Sequence, residues 1–307
     1  MSKPTAFRAH DYLAPRYWPT WLGLGLLRAS LWLPYPALLA LGRGLGGLLY
    51  HLVPSRRRVV LTNLRLCFPQ MPEAQRHRLA KQNMAATATA LFEGALSWWG
   101  KDERLRPLYR IEGLEHLQQA RAQGKGVILL GGHYTTLEIS GRLLAFHVPG
   151  LQPIYKPARN PLFEAFMASS RKRLFDDLLP SSEMRRIVRS LKAGKVVWYA
   201  PDQDFGRKQT VFAPFFGVAT ASLTSTAGLA RLAAAPVVPY YSERLPGKAG
   251  YLIRLLPALK GFPSGDAVAD ASTVNQTIEN QARQVPEQYL WVHRRFKTRP
   301  EGEPSVY

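Results

Sequence analysis

The chain is poor in cysteine and in acid. Cys67 is the single thiol among 307 residues, which excludes an internal disulfide and any cysteine-cluster metal site. It fits a reducing compartment, and a lone thiol in an arginine-rich stretch reads as incidental rather than catalytic. Twenty-one Asp and Glu stand against 41 Lys and Arg, a net charge of +20. With a pI near 10.4, the partners expected are anionic: phospholipid, nucleic acid or an acidic protein. The shortage of acid is deepest at the start, where residues 1 to 72 hold nine cations and one carboxylate, Asp11.

Several chemical signatures are also missing. There is no G-x-S-x-G nucleophile elbow, no H-E-x-x-H pair and no P-loop. Gly42 to Gly47 formally matches G-x-G-x-x-G, but Pro34 and Pro36 precede it and no βαβ unit with a suitably placed acid follows, so no dinucleotide site is read there. From Tyr17 to Val53 the chain is nearly all apolar, yet its uncharged runs, Tyr17 to Leu27 and Ala29 to Gly42, fall short of the ~20 residues a clean membrane crossing needs. A single span with Arg28 snorkelling competes with an interfacial hairpin or tilted helix. Trp18, Trp21, Trp32, Tyr35 and Tyr50 resemble an interfacial aromatic belt, and Arg56, Arg57, Arg58 and Arg65 follow, which by the positive-inside rule leaves the bulk of the protein cytoplasmic. Residues 1–55 are expected to be a membrane-anchoring helical segment and 56–307 the catalytic body.

That body alternates strands and helices. Glu73 to Trp99 reads as a long helix with Leu79, Met84, Thr87, Leu91 and Ala95 on one face. Strands are expected at 109–111, 126–130, 152–155, 196–200, 237–241 and 251–255. Helices are expected at 114–123, 137–146, 161–174, 183–192 and 224–234. The pattern predicts an α/β fold with a mixed, mostly parallel sheet flanked by helices. In such sheets the chemistry sits beyond the carboxyl ends of the strands.

Three strand ends carry polar loops. After the aliphatic run Gly126 to Leu130 come Gly131, Gly132 and His133, with Glu138 five residues on. Two glycines let the backbone turn and leave room for a ligand. On a continuous helix a five-residue spacing would put His133 and Glu138 ~140° apart. With His133 on the loop and Glu138 in the first helical turn they can meet, the carboxylate fixing the imidazole tautomer and the imidazole acting as base. Thr135 to Glu138 is equally a capping box, in which Glu138 would only reach back to the Thr135 amide. Tyr155 to Pro161 places Lys156, Arg159 and Asn160 in a loop suited to an anion or developing oxyanion, or in a plain solvated turn. Asp202 and Asp204, after Trp198 to Pro201, could bind a metal, hold sugar hydroxyls or close an ordinary turn. The three loops should converge on one edge of the sheet.

Taken together, His133-x4-Glu138 after a strand, Tyr155-Lys-Pro-x-x-Asn-Pro161 and Ala200-Pro-Asp-x-Asp-x-Gly206 resemble the late, lauroyl-type acyltransferases of lipid A biosynthesis. Pro15 to Trp18, Leu33 to Pro36, Asn63 to Pro69, Pro286 to Tyr289 and His293 to Gly302 resemble the same family, so the likeness covers nearly the whole chain. The H-x4-D/E motif alone marks a broader superfamily that includes glycerolipid acyltransferases, and the flanking blocks narrow it. The resemblance implies transfer of a fatty acyl group, lauroyl by the type of enzyme resembled, from acyl carrier protein. The acceptor would be the hydroxyl of a hydroxyacyl chain on the Kdo-bearing lipid A precursor, at the cytoplasmic face of the inner membrane. Carried over, His133 is the general base and Glu138 its orienting carboxylate. Lys156 stands where the family often has arginine, keeping the charge but losing the bidentate fork. Asp202 and Asp204 match a block implicated in substrate contact or structure. No metal or nucleotide cofactor is implied. Other readings of the residues are an acyltransferase using acyl-CoA or another lipid, and a basic membrane-associated binding protein. Nucleic acid is not an expected partner, since no nucleic-acid-binding signature accompanies the charge.

Overall fold

The computed structural model describes residues 7–307. Four helices come first: α1 (Trp18–Ser30), α2 (Tyr35–Leu52), α3 (Pro54–Cys67) and α4 (Glu73–Trp99). A one-turn α5 (Asp102–Leu105) leads into β1 (Tyr109–Glu112), α6 (Leu114–Arg121), β2 (Val127–Leu130), α7 (Leu137–Ala145), β3 (Leu151–Tyr155) and α8 (Pro161–Lys172). Then follow β4 (Leu179–Pro180), α9 (Met184–Lys192), β5 (Val196–Tyr199), β6 (Thr210–Phe215), β7 (Val218–Leu223), α10 (Ser225–Ala233), β8 (Val237–Arg244), β9 (Tyr251–Leu255) and α11 (Ala267–Gln284).

Seven strands form one sheet in the order β1-β9-β8-β2-β5-β3-β4, while β6 and β7 make a separate antiparallel hairpin. Within the large sheet only β8 and β9 run antiparallel, so the expected mixed, mostly parallel sheet is present. β2 lies at its centre, and all four of its side chains are fully buried. They alternate between two cores. Ile128 and Leu130 join Val197, Tyr199 and Val237 on one face. Val127 and Leu129 join Val196, Val238 and Ile253 on the other. A strand covered on both faces needs a continuous aliphatic run, which is what Val-Ile-Leu-Leu provides.

α4, 27 residues and about 40 Å long, reaches both cores, with Leu79 and Met84 in the first and Leu96 in the second. Leu79, Met84 and Ala95 of its expected face are buried, but Leu91 is half exposed and Thr87 only partly buried, and Asn83, Ala88 and Phe92 complete the buried side instead. α2 runs antiparallel against α4. The glycines that mimic a dinucleotide loop are the reason it can lie so close. A Cβ on Gly42 would come within 2.5 Å of the Thr89 Cα, and one on Gly46 within 2.3 Å of the Ala85 Cα. Cys67 is buried, and burial pushes its thiol well up.

The amino-terminal segment is thus folded onto the body, with Tyr35 and Leu39 in its core. Among the described residues no single helix is long and apolar enough to cross a membrane. α2 and α3 together would suffice by length, but they meet at 95°. The single span around Arg28 finds no continuous helix: α1 stops at Ser30 and α2 starts after Pro34, so the apolar run is split between two helices. The aromatic belt is divided too. Trp18 and Trp32 are exposed, Trp32 to 91%, whereas Tyr35 and Tyr50 are buried. Leu22, Leu26, Leu41, Leu48 and Leu52 add to the exposed apolar surface of α1 and α2.

Candidate active site

The loops after β2, β3 and β5 meet as expected. His133, Tyr155, Lys156, Ala158 and Gln203 line one cavity of about 360 Å³, whose deeper wall is apolar: Leu137, Leu144, Leu151, Ile154, Met167 and Phe175. A half-open, largely apolar cleft with a few polar groups at its mouth is the form small-molecule sites take.

Gly131 and Gly132 do not serve the turn or a ligand, as expected from sequence. Neither has positive φ. A Cβ on Gly131 would lie 2.9 Å from the Trp198 indole nitrogen, and one on Gly132 would lie 2.8 Å from Ile278 Cγ2. The glycines let β2 pass under protein side chains on its way to His133.

His133 does not meet Glu138. Its Nδ1 lies 2.6 Å from Oδ1 of Asp202, and its backbone N–H donates to Oδ2 at 2.8 Å. The strand register explains the meeting. β2 and β5 are parallel neighbours with Leu130 opposite Tyr199, so the third residue past each strand end, His133 and Asp202, again fall side by side. Asp202 is 2% exposed. Burial by itself would raise its carboxyl, but the His133 charge and hydrogen bonds, helped by Tyr289, outweigh it and bring the group down to about 2. An ionised carboxylate only accepts, so Nδ1 carries the imidazole proton and Nε2 is left as the basic nitrogen.

Glu138 has other partners. Arg171 of α8 donates to it from Nε at 3.1 Å and from an η nitrogen at 2.5 Å, and the Trp98 indole donates at 2.6 Å. Its carboxylate is fully engaged by a guanidinium fork, which is the physical reason it does not reach the imidazole. The capping box is absent as well, because the Thr135 N–H donates to the Gln288 carbonyl. Glu138 and Arg171 both line the cavity as a neutralised pair. Arg171 is a site residue that no local sequence signal pointed to.

The remaining expected residues divide. Lys156 stands exposed on the cavity rim, its ammonium 5.9 Å from the Phe205 ring centre. Arg159 is exposed beside it and does not line the cavity. Asn160 caps α8 by accepting from the Phe163 N–H at 3.1 Å, and its amide donates to Thr20 of α1 at 2.9 Å. Asp204 accepts from the Thr298 N–H, the Thr298 hydroxyl and the Gly206 N–H. Asn160 and Asp204 therefore hold their loops together through protein partners, which for Asp204 is the structural one of its two expected roles. The two acids 202 and 204 hold different partners and do not form a joint cation site.

The carboxy-terminal segment supports the histidine loop from behind. The Leu290 N–H donates to the His133 carbonyl at 3.0 Å, and Tyr134 pairs with Tyr289. Asn63 of α3 donates to the carbonyls of Trp291 and His293. His293 accepts the Asp204 N–H at Nε2, and burial drives its imidazole down to about 4. Sequence alone indicated no function for Asn63 or His293 beyond family likeness.

The family model described as bacterial lipid A biosynthesis acyltransferase matches residues 6–298. The lipid A biosynthesis lauroyltransferase of Escherichia coli (strain K12) is 40% identical, covering 96% of this chain and 96% of its own. The palmitoleoyltransferase of the same organism is 38% identical, covering 97% of each. A solved structure, the 1-acyl-sn-glycerophosphate acyltransferase of Thermotoga maritima, aligns at TM-score 0.38 and 13% identity over 82% of this chain and 97% of that one, too distant to carry weight.

Proposed function

The chain belongs to the bacterial lipid A biosynthesis acyltransferase family, and from that premise we propose that it moves a fatty acyl group, lauroyl in the first instance, from acyl carrier protein. The acceptor is the hydroxyl of a hydroxyacyl chain on the Kdo-bearing lipid A precursor, at the cytoplasmic face of the inner membrane. The observation that carries this reading is the His133–Asp202 pair at the mouth of an apolar cavity.

The acceptor hydroxyl gives its proton to His133 Nε2 as its oxygen attacks the thioester carbon. The carbon–sulfur bond then breaks, and the departing sulfur takes the proton back from the imidazolium. Asp202 fixes the tautomer and stabilises the imidazolium between those steps. A thioester is already activated, so a base, oxyanion stabilisation and exclusion of water complete the requirement. Lys156 and Arg159, exposed at the cavity rim and beside it, supply positive charge for the thioester oxygen or the donor's phosphate. Asn160 holds the loop that carries them, and Asp204 holds the loop that carries Asp202. Glu138 with Arg171 shapes and neutralises the cavity wall.

Family membership alone does not choose the chain length, since relatives named for lauroyl and palmitoleoyl transfer are almost equally similar. The choice falls to the apolar wall, where each methylene is worth about 0.8 kcal/mol. The exposed Trp18, Leu22, Leu26 and Trp32 supply the membrane-facing surface of α1 and the loop after it. The test is His133→Ala, assayed with lauroyl–acyl carrier protein and lipid A precursor. Turnover is expected to fall to background with the fold intact, and retained turnover would remove the mechanism. Equal or better transfer from lauroyl-CoA would overturn the donor assignment.

A further inference from the structure

On the far side of α3 from the catalytic loop lies a second, larger cavity of about 890 Å³, between the end of α2, the outer face of α3, the start of α4 and Tyr307. Four guanidinium groups line it: Arg57, Arg58, Arg65 and Arg76. Its one acidic side chain, Glu73, sits 3.7 Å from His77. Arg57 is spent locally, over the Tyr50 ring and on the Tyr50 carbonyl at 3.2 Å. Among the described residues Arg58, Arg65 and Arg76 make no ion pair, and Arg58 and Arg65 are exposed two turns apart on one helix face.

Cations left unpaired in a concave site are not a stabilising device for the fold, because they repel one another. Arginine at such a site suits the oxygens of a phosphate group, which it grips with two parallel N–H donors. Position identifies the source. At the end of α2 the cavity is lined by Tyr50 and His51, and their helix neighbours Leu48 and Leu52 are 54% and 65% exposed. A phosphate with acyl chains attached would place its charge among the arginines and its chains along those leucines. An acidic protein would instead need a broad, accessible surface rather than a recess.

We propose that the α3–α4 cavity binds the phosphate-bearing headgroup of an anionic membrane lipid. This rests on the membrane-facing part of the functional reading and not on its chemistry. Each arginine near an anionic surface contributes roughly fivefold in binding, so losing two weakens it about 30-fold.

The experiment is co-sedimentation of the full-length protein with phosphatidylcholine vesicles, alone or mixed with phosphatidylglycerol. The variants are Arg58→Ala/Arg65→Ala, its lysine counterpart Arg58→Lys/Arg65→Lys, and Arg185→Ala/Arg189→Ala, which removes the same charge from the exposed face of α9. The expected result is tighter wild-type binding to the mixed vesicles. That preference should be lost about 30-fold in the α3 alanine pair, fall to an intermediate level in the lysine pair, which keeps the charge but not the two-donor grip, and be little changed in the α9 pair. Equal losses from α3 and α9 would reduce the effect to net charge and overturn the proposal. So would unchanged vesicle binding accompanied by lost binding of acyl carrier protein, or binding of inorganic phosphate without vesicle preference. Wild-type protein that ignores both kinds of vesicle would sink the membrane reading itself, whereas equal binding to both would sink only this site. If the alanine pair fails to fold, Arg65→Ala alone carries the same comparison against Arg189→Ala, with roughly a fivefold loss expected.

Discussion

Two carboxylates flank the histidine loop, and their surroundings differ completely. Asp202 is almost wholly buried and receives the imidazole and backbone of His133, while Glu138, 17% exposed at its side chain, receives a guanidinium and an indole. One anion is positioned to stabilise a charge that comes and goes. The other is cancelled by a charge that stays. Nearness in sequence favoured Glu138, five residues from the histidine, but parallel strand pairing brings in Asp202 from 69 residues away. A carboxylate's role is set by what already occupies its oxygens.

The sharpest way to break this contrast is Asp202→Asn, which keeps the shape and removes the anion. The turnover number is expected to fall about a thousandfold, with the KM for acyl donor nearly unchanged, because the imidazolium loses its counter-charge and the tautomer its anchor. Glu138→Gln should act through stability instead. It leaves Arg171 as a mostly buried cation without its anion, at a cost of about 2–3 kcal/mol in thermal or urea unfolding. Adding Arg171→Met should recover most of that loss. If Glu138→Gln matched the turnover loss of Asp202→Asn with unchanged stability, the roles would have to be exchanged.

The smallest effect concerns acid. Asp202 is depressed from 3.8 to about 2, so its contribution is fully present above pH 4 and disappears as pH falls toward 2. His293 is depressed from 6.5 to about 4 by burial, so folding opposes its protonation. That contribution is present above pH 6.5 and disappears as pH falls toward 4. Unfolding midpoints followed from pH 7 to pH 3 should therefore decline first in the His293 window, by about 2 kcal/mol after allowing for partial solvent screening. His293→Gln, which keeps an acceptor for the Asp204 N–H, should flatten the slope between pH 6.5 and 4. An unchanged slope would assign the acid sensitivity elsewhere.

Most of the scaffold was legible before any coordinates. α4 begins and ends where Pro72 and Gly100 place it, and the strand–helix alternation from β1 to α8 follows the expected order, with the two-residue β4 added before α9. The convergence of three loops was legible too, because parallel strands deliver their carboxyl ends to one edge. The His133 partner was not, since strand order is a tertiary fact: nothing local to Asp202 says that β5 lies beside β2. The β6–β7 hairpin, interrupted by Pro214, carried too weak an alternation to register. α11 did offer a signal, Asp266, which accepts from the Val268 and Ala269 N–H groups at 2.8 Å, ahead of a mixed polar helix. The glycines of α2, whose match to a dinucleotide loop was set aside, let the helix close on α4 at Gly42 and Gly46, a purpose that no local pattern announced.

One hydrogen bond joins the two halves of this picture. The Asn160 amide ties the loop at the reactive cleft to Thr20 on the greasy outer helix. Under the membrane-facing role proposed for α1, this bond sets the height of that loop relative to the helix, and with it the depth at which a fatty chain would be handed over.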